Sequence, residues 1–176
     1  TGQAAALSTA QVAALGSLQI AGLSTDNIAA LSAAQVGAIS PAQAAALSTA
    51  QLAAIETADI KSLSTAALRS LSAEQMAGLG STQVAALSST QVAALGSAQL
   101  AGLNSADIVA LGSAQVAMLS ATQVAALTAD QVAKLEATDL AALTPAALKG
   151  LSAEAMAGLT TAQVAALTSA QVAALS

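Results

Sequence analysis

A leucine recurs every eight residues along almost the whole chain, and this period limits the folds that are open to it. The row begins at Leu7 and runs to Leu175, with isoleucine only at Ile39 and Ile55. The 168 residues from 7 to 174 form 21 complete octads with the consensus L-S-T-A-Q-V-A-A. We therefore expect residues 1–176 to be one continuous repeat array, a fragment of a longer array without capping units.

A longer repeat lies on top of the octads. Residues 56–79 align with residues 136–159, at an offset of 80 residues or ten octads. Both segments begin with Glu, carry Asp three residues later and end in Ala-Glu-x-Met-Ala-Gly-Leu. The pattern predicts a super-repeat that arose when a block of ten units was copied.

The octad is incompatible with one long helix. Eight residues turn an α-helix by about 800°, so the leucine row would be displaced by about 80° per unit and face no partner. Supercoiling corrects a drift of only about 20° per heptad. A β-solenoid is disfavoured because Ala and Gln dominate the repeat and a β-branched residue occurs about once per unit.

A separate short helix in each octad explains every position. Ser8 is the expected N-cap, and Gln11 completes a capping box with it. Leu7 before the cap and Val12 at the fourth helical position form a hydrophobic staple. The same four positions are held by Leu87, Ser88, Gln91 and Val92 in a central octad. Pro41 and Pro145 occupy the first helical position, where proline is tolerated best.

The charged residues occupy the positions expected if each octad contains its own helix start and helix end. All nine acidic residues lie between the cap and the third helical position, and all four basic residues lie at the fifth or sixth. This order matches the helix macrodipole, which favours negative charge at the start and positive charge at the end. A single long helix has only one start and could not impose the same order in each octad.

These patterns predict an all-α solenoid in which each octad is a capped, very short helix. Such helices are unstable alone, so stacking of neighbouring repeats must stabilise them. We expect two units per solenoid turn, with three as the alternative. Neither a 16- nor a 24-residue period stands out, so the sequence does not choose between them.

The amino-acid composition lacks the side chains that most catalytic, metal-binding and nucleic-acid-binding sites use. The chain has no His, Cys, Phe, Tyr or Trp, so it lacks a neutral-pH proton shuttle, a thiolate and a base-stacking platform. We therefore expect no enzyme activity and no catalytic, metal-binding or cofactor-binding residues. We also expect no nucleic-acid partner, because four basic residues are too few to bind a phosphate backbone. No apolar run is long enough for a membrane span. The carboxylate pairs Glu56 with Asp59 and Glu136 with Asp139 are interpreted as helix caps.

The motif L-[ST]-x-x-Q-V-x-A-L, repeated from Leu7 to Leu175, resembles the octapeptide arrays of very large bacterial proteins, many of them secreted or surface-attached and adhesin-like. The resemblance implies a stalk, scaffold or fibre role and an extracellular or cell-surface location. It brings no catalytic residues with it.

The outward helical positions, the second, fifth and sixth, are mostly Ala and leave three functions open. The first is a soluble spacer whose partners are the neighbouring repeats of the same chain. The second is self-association of arrays into fibres, sheets or coats. The third is a surface-binding module for ice, another ordered surface or a partner protein, since the exposed face is regular and weakly apolar.

Overall fold

The computed structural model describes residues 2–175, and all regular structure in that range is helical. There are 21 α-helices of four to seven residues and one 3₁₀ turn, and no strand occurs in this range. The all-α prediction of many short helices is confirmed.

Each complete octad contributes one element. The elements are α1 (Gly2–Ala5), α2 (Thr9–Ala14), α3 (Ser17–Ala21), α4 (Thr25–Ala29), α5 (Ala33–Gly37), α6 (Pro41–Ala46), α7 (Thr49–Ala54), η1 (Ile60–Ser62), α8 (Thr65–Arg69), α9 (Ala73–Ala77), α10 (Ser81–Ala86), α11 (Ser89–Ala94), α12 (Ser97–Ala101), α13 (Ser105–Ala110), α14 (Ser113–Val116), α15 (Ala121–Ala125), α16 (Ala129–Lys134), α17 (Ala137–Ala142), α18 (Pro145–Leu148), α19 (Ala153–Ala157), α20 (Thr161–Ala166) and α21 (Ser169–Leu175).

Two extended residues separate the six-residue helices from the next helix, whereas shorter helices such as α3 and α4 are first followed by a residue in the right-handed helical region, Gly22 or Ala30. In the central octad, Ser88 has φ −69° and ψ 156°, and Leu95 at the other end has φ −64° and ψ 143°. No residue in the described range has a positive φ, so the links need no left-handed residue and glycine is not required to end a helix. A Leu-Ser pair of extended residues is sufficient to turn the chain.

The solenoid has three units per turn. Each helix packs against the element three units further along, as α10 does against α13 and α17 against α20. One turn therefore takes 24 residues, and 21 octads make seven turns, about 65 Å at a layer spacing of about 9–10 Å. The expectation of two units per turn was wrong, and the alternative of three holds. The inward residues are similar from octad to octad, with Leu or Ile in one row and mostly Val, Leu or Ile in the other, so the stacking leaves no longer period in the sequence.

Two inward rows fill the core. In octad 88–95 the staple residue Val92 and the following Leu95 are buried, and the same two positions are buried through the central turns. Burying such side chains stabilises each unit by roughly 1.5–3 kcal/mol per residue. The second helical position points outward and is exposed, as Ala50 and Thr90 are. The staple and leucine rows thus form one continuous core along the axis.

Candidate functional site

A row of glutamines at the third helical position is buried although the side chain is polar. We call this row the glutamine ladder. Its buried members are Gln35, Gln43, Gln51, Gln83, Gln91, Gln99, Gln115, Gln123, Gln131, Gln163 and Gln171. A buried amide is costly unless its oxygen and nitrogen are both hydrogen-bonded, so the ladder must have partners on two sides.

The amide oxygen of each ladder glutamine caps its own helix. The backbone N–H of Ser88 donates to Gln91 Oε1 at 2.8 Å, and the N–H of Gln91 donates to Ser88 Oγ at 3.2 Å. Ser8 and Gln11 make the same two bonds, at 2.7 and 3.2 Å. These are the two halves of a capping box, which satisfies N–H groups that the helix leaves free.

Octads with a glycine cap keep only one half of the box. The N–H of Gly96 donates to Gln99 Oε1 at 2.8 Å, but glycine has no hydroxyl to accept a bond in return. The octad of Ser64 keeps only the other half, because its third helical residue is Ala67 and the N–H of Ala67 donates to Ser64 Oγ at 3.1 Å. Either half of the box can therefore occur alone.

The amide nitrogen of the same glutamine reaches the adjacent turn of the solenoid. Gln91 Nε2 donates to the carbonyl oxygens of Leu63 at 2.7 Å and Lys61 at 3.1 Å. Gln43 Nε2 donates to those of Leu15 at 2.7 Å and Val12 at 2.8 Å. These acceptors lie 28 to 31 residues earlier, at the end of an earlier unit, where helix carbonyls lack partners. One side chain thus caps the start of its own helix and the end of another.

The capping box accounts only for the bond within the glutamine's own helix and does not predict this second bond. A signal for it is present in the sequence. The capping box accepts Glu as well as Gln, yet none of the four glutamates occupies the third helical position. A carboxylate could cap its own helix but has no N–H to donate to the adjacent turn.

Two octads replace the ladder glutamine with a buried aspartate. Asp107 Oδ1 accepts a hydrogen bond from Ser81 Oγ at 3.0 Å, and Asp139 Oδ1 accepts one from Ser113 Oγ at 2.5 Å. In both cases the serine lies 26 residues earlier, in the adjacent turn. Burial raises the pKa of Asp107, while hydrogen bonds from Asn104 and Ser81 oppose the rise.

The octad of Asp59 departs from the expected α-helix. It folds as the 3₁₀ turn η1, and the residue 26 positions before Asp59 is Ala33, which has no hydroxyl to donate. Asp59 is half-buried, unlike Asp107. The octad therefore has neither a glutamine amide nor a serine to bond it to the adjacent turn. It also lacks the Ser or Thr cap that α8, α18 and α19 have in octads without glutamine, since Glu56 holds the cap position. We infer that its helix is looser because both stabilising groups are missing.

The other residues singled out from the sequence lie in structural positions. Leu87 and Val92 are buried in the core, Val12 is buried in the first turns and Leu7 packs at its edge. Pro41 and Pro145 are the first residues of α6 and α18.

The other two carboxylates of the pairs named from the sequence lie at the surface. Glu56 and Glu136 are exposed at helix starts. Across residues 2–175, no group of three or more His, Cys, Asp or Glu side chains could hold a metal ion. In the same part of the chain, no helix is long and apolar enough to cross a membrane.

Comparison with known proteins identifies the repeat. A sequence model of the ALTTAQ repeat matches residues 1–33, 52–89, 79–105, 100–137 and 132–169, and these segments together cover most of the chain. None of the curated proteins matches the chain.

Proposed function

The chain belongs to the ALTTAQ repeat family, and from this membership we propose that it is a structural rod: a stalk or fibre-forming scaffold of a bacterial extracellular or surface assembly. Its regular helical units are those of a repeat scaffold. The bacterial surface location is drawn from the resemblance of the octad to arrays of large surface proteins.

The observation that carries the proposal is the glutamine ladder. From Gln35 to Gln171, ladder glutamines donate to backbone carbonyls of the adjacent turn at distances of 2.6 to 3.5 Å. Most turns are therefore joined to the next by buried glutamine hydrogen bonds as well as by apolar packing. The three octads of residues 136–159 have no ladder glutamine, and there the bond from Ser113 to Asp139 joins the turns. A spacer must keep its length, and a stack with bonds of this kind along its axis resists extension.

Spin-label distances test whether the array is a rod of fixed length. The chain has no cysteine, so Ala42→Cys paired with Ala114→Cys, and Ala42→Cys paired with Ala162→Cys, place labels at exposed second helical positions. These sites are separated by three and five turns, and we expect narrow distance distributions centred near 28 and 48 Å. Broad distributions, or distances that do not grow in proportion to the number of turns, would reject the rod.

The location needs a separate experiment. An antibody raised against the array should label intact, unpermeabilised cells of the source organism if the array lies at the surface. Labelling that requires permeabilisation would contradict the extracellular part of the proposal and leave the rod untouched.

A further inference from the structure

The three faces of the solenoid differ in charge. Because every third octad lies on the same side, α2, α5, η1, α10, α13, α16 and α19 stack in one column, whose outer surface we call the α10 face. The other two columns carry three charged residues each. This column carries seven of the thirteen, namely Glu56, Asp59, Lys61, Asp107, Asp130, Lys134 and Glu154. The helix macrodipole accounts for the place of a charge within its octad but not for the column that carries it.

An acidic and a basic residue share an octad only on the α10 face. Glu56 and Lys61 lie at the beginning and the end of the octad of η1. Asp130 and Lys134 lie in the first and last turns of α16. All four side chains are exposed. Each of these two units is therefore negative at its start and positive at its end, at two levels that lie three turns or about 28 Å apart.

Between these two levels the surface of the α10 face is uncharged. The helix α10 has no charged residue, and the one carboxyl of α13, Asp107, is fully buried. Val109 of α13 is 46% exposed, and the outward residues around it, such as Thr82, Ala85 and Ala106, are small and exposed. A similar surface can cover this part of the face without burying an unpaired charge.

We propose that the α10 face is the interface of a parallel two-fold dimer whose partner is a second copy of this chain. A two-fold axis parallel to the rod sets the contacting helices antiparallel at the same level, so the start of one helix lies opposite the end of the other. Glu56 thus faces the partner's Lys61, and Asp130 faces the partner's Lys134. Each contact occurs twice, as an isologous interface requires. The proposal rests on the proposed rod, which supplies the straight face, and adds the pairing of rods in register.

A second copy fits the α10 face and neither of the other two. Arg69 and Lys149 each lie in an octad that has no acidic residue, so the same two-fold arrangement of their columns would leave them without an opposite charge. On the α10 face, Glu154 has no base in its octad, but the antiparallel arrangement places the two copies of Glu154 at opposite ends of the helix pair. Like charges therefore do not meet at this level.

The size of the face is also sufficient for a dimer. Seven turns give a length of about 65 Å, and a six-residue helix gives a width of about 9 Å. Each copy then contributes about 600 Å², and the total of about 1,200 Å² is at the lower end of the range for specific interfaces. We therefore expect a dimer that dissociates on dilution.

Charge-reversal variants of the full 176-residue chain test the proposal by sedimentation velocity over a concentration series. Lys61→Glu with Lys134→Glu makes the α10 face wholly acidic. Glu56→Lys with Asp130→Lys replaces both of the acids that the proposal pairs. Either variant sets like charges against each other in a dimer of its own kind, whereas the two variants together are complementary. Circular dichroism establishes that each variant is folded.

The matched control makes the same change of charge on the other two faces. Arg69→Glu with Lys149→Glu reverses two exposed bases near helix ends, as Lys61→Glu with Lys134→Glu does. Single spin labels identify the covered face: the distance between labels on two copies should be shorter for Thr82→Cys, on the α10 face, than for Ala114→Cys, on the face of α14.

We expect the unmodified chain to form dimers and no larger species, because a two-fold interface closes. Each α10-face variant should dimerise at least about tenfold more weakly, since four ion pairs become like-charge contacts. The control should dimerise as the unmodified chain does, and an equimolar mixture of the two α10-face variants should recover the dimer.

Four results would overturn the proposal. They are growth beyond a dimer, a chain that stays monomeric up to about 1 mM, equal weakening by the control, and a mixture that does not associate. A shorter distance from Ala114→Cys than from Thr82→Cys would assign the interface to another face and reject it as well. None of these results alters the intramolecular spin-label distances that test the single rod.

Discussion

At the scale of the residue, the amide of glutamine specifies how adjacent turns align in a way that the hydrophobic residues do not. Leu, Val and Ile can exchange in the core, as Ile39 and Ile55 show. A carboxylate can take this position only with a different partner in the adjacent turn, as Asp107 does with Ser81, because it has no N–H to donate to the two carbonyls. Because the buried amide needs partners in its own helix and in the adjacent turn, it specifies how the turns align as well as stabilising them.

Replacing Gln91 with Glu tests this requirement. Glu keeps an oxygen for the cap but loses the bonds to Leu63 and Lys61, and it sets a carboxylate against carbonyl oxygens in a buried place. We expect the free energy of unfolding to fall by about 2–3 kcal/mol in urea denaturation. Gln11→Glu is the matched control, since Gln11 makes only the cap bonds and should change stability by less than about 0.5 kcal/mol. Equal losses at both positions would show that the cap alone matters.

The pKa of Asp107 gives a test by pH. Its folded-state pKa is raised by burial above an unfolded value of about 3.9, so the folded state holds the proton to higher pH than the unfolded state does. The contribution of Asp107 to the free energy of unfolding therefore falls as pH rises above about 4. Asp107→Gln removes this loss and supplies an amide for the carbonyls of Met76 and Leu79.

We expect Asp107→Gln to stabilise the chain at pH 7 by about 1 kcal/mol and by less at pH 4, measured by denaturant unfolding at both values. Asp130→Gln, at an exposed position in the following octad of the same side, controls for the loss of one negative charge. A gain at Asp107 that is equal at both pH values would contradict the assigned direction of the pKa.

At the scale of the element, the octad was predictable because its signals are local. Caps, staples and the order of charges all lie within eight residues, and they predicted many short helices rather than one. The number of units per turn was not predictable, since it depends on how identical inward surfaces stack. The bond from Gln91 to the adjacent turn was not predicted because it also depends on how the turns stack. The absence of Glu from the third helical position does, however, indicate that an N–H donor is needed there.

Glycines in adjacent turns show how closely the elements approach. A Cβ on Gly150 would overlap the backbone carbonyl oxygen of Ala121, whereas a Cβ on Gly158 would lie an ordinary 3.5 Å from the carbonyl oxygen of Glu154. We expect Gly150→Ala to destabilise by about 1–3 kcal/mol because two turns must separate. Gly158→Ala should be neutral or stabilise by about 0.5 kcal/mol, since alanine reduces the entropy of the unfolded chain. Thermal unfolding of the two variants measures this difference in stability. A larger loss of stability for Gly158→Ala than for Gly150→Ala would be inconsistent with these packing distances.

At the scale of the whole molecule, the array is close to one-dimensional. In the described part of the chain, each unit packs mainly against units three along, and a ladder glutamine such as Gln91 bonds to the end of the unit four back. Stability in such a stack is approximately a sum over units and their interfaces. A ladder glutamine and its carbonyl acceptors lie 28 to 31 residues apart. An insertion or deletion must therefore preserve this spacing if the bonds between turns are to form.

Insertions of eight and of four residues at the same position test whether this spacing is required. Duplicating octad 40–47 inserts eight residues and presents every later glutamine with carbonyls of the same kind in the same register, so we expect a folded array at least as stable as the parent. Inserting only Ala-Gln-Ala-Ala after residue 47 moves the bonds that cross the insertion, including those of Gln51 to Leu23 and Gln75 to Leu47, half an octad out of register. This variant should lose about 3 kcal/mol or more and unfold in a broader transition, measured by circular dichroism in urea. Equal tolerance of four and eight residues would mean that apolar stacking alone sets the register, whereas failure of the octad duplication would mean that units are not interchangeable.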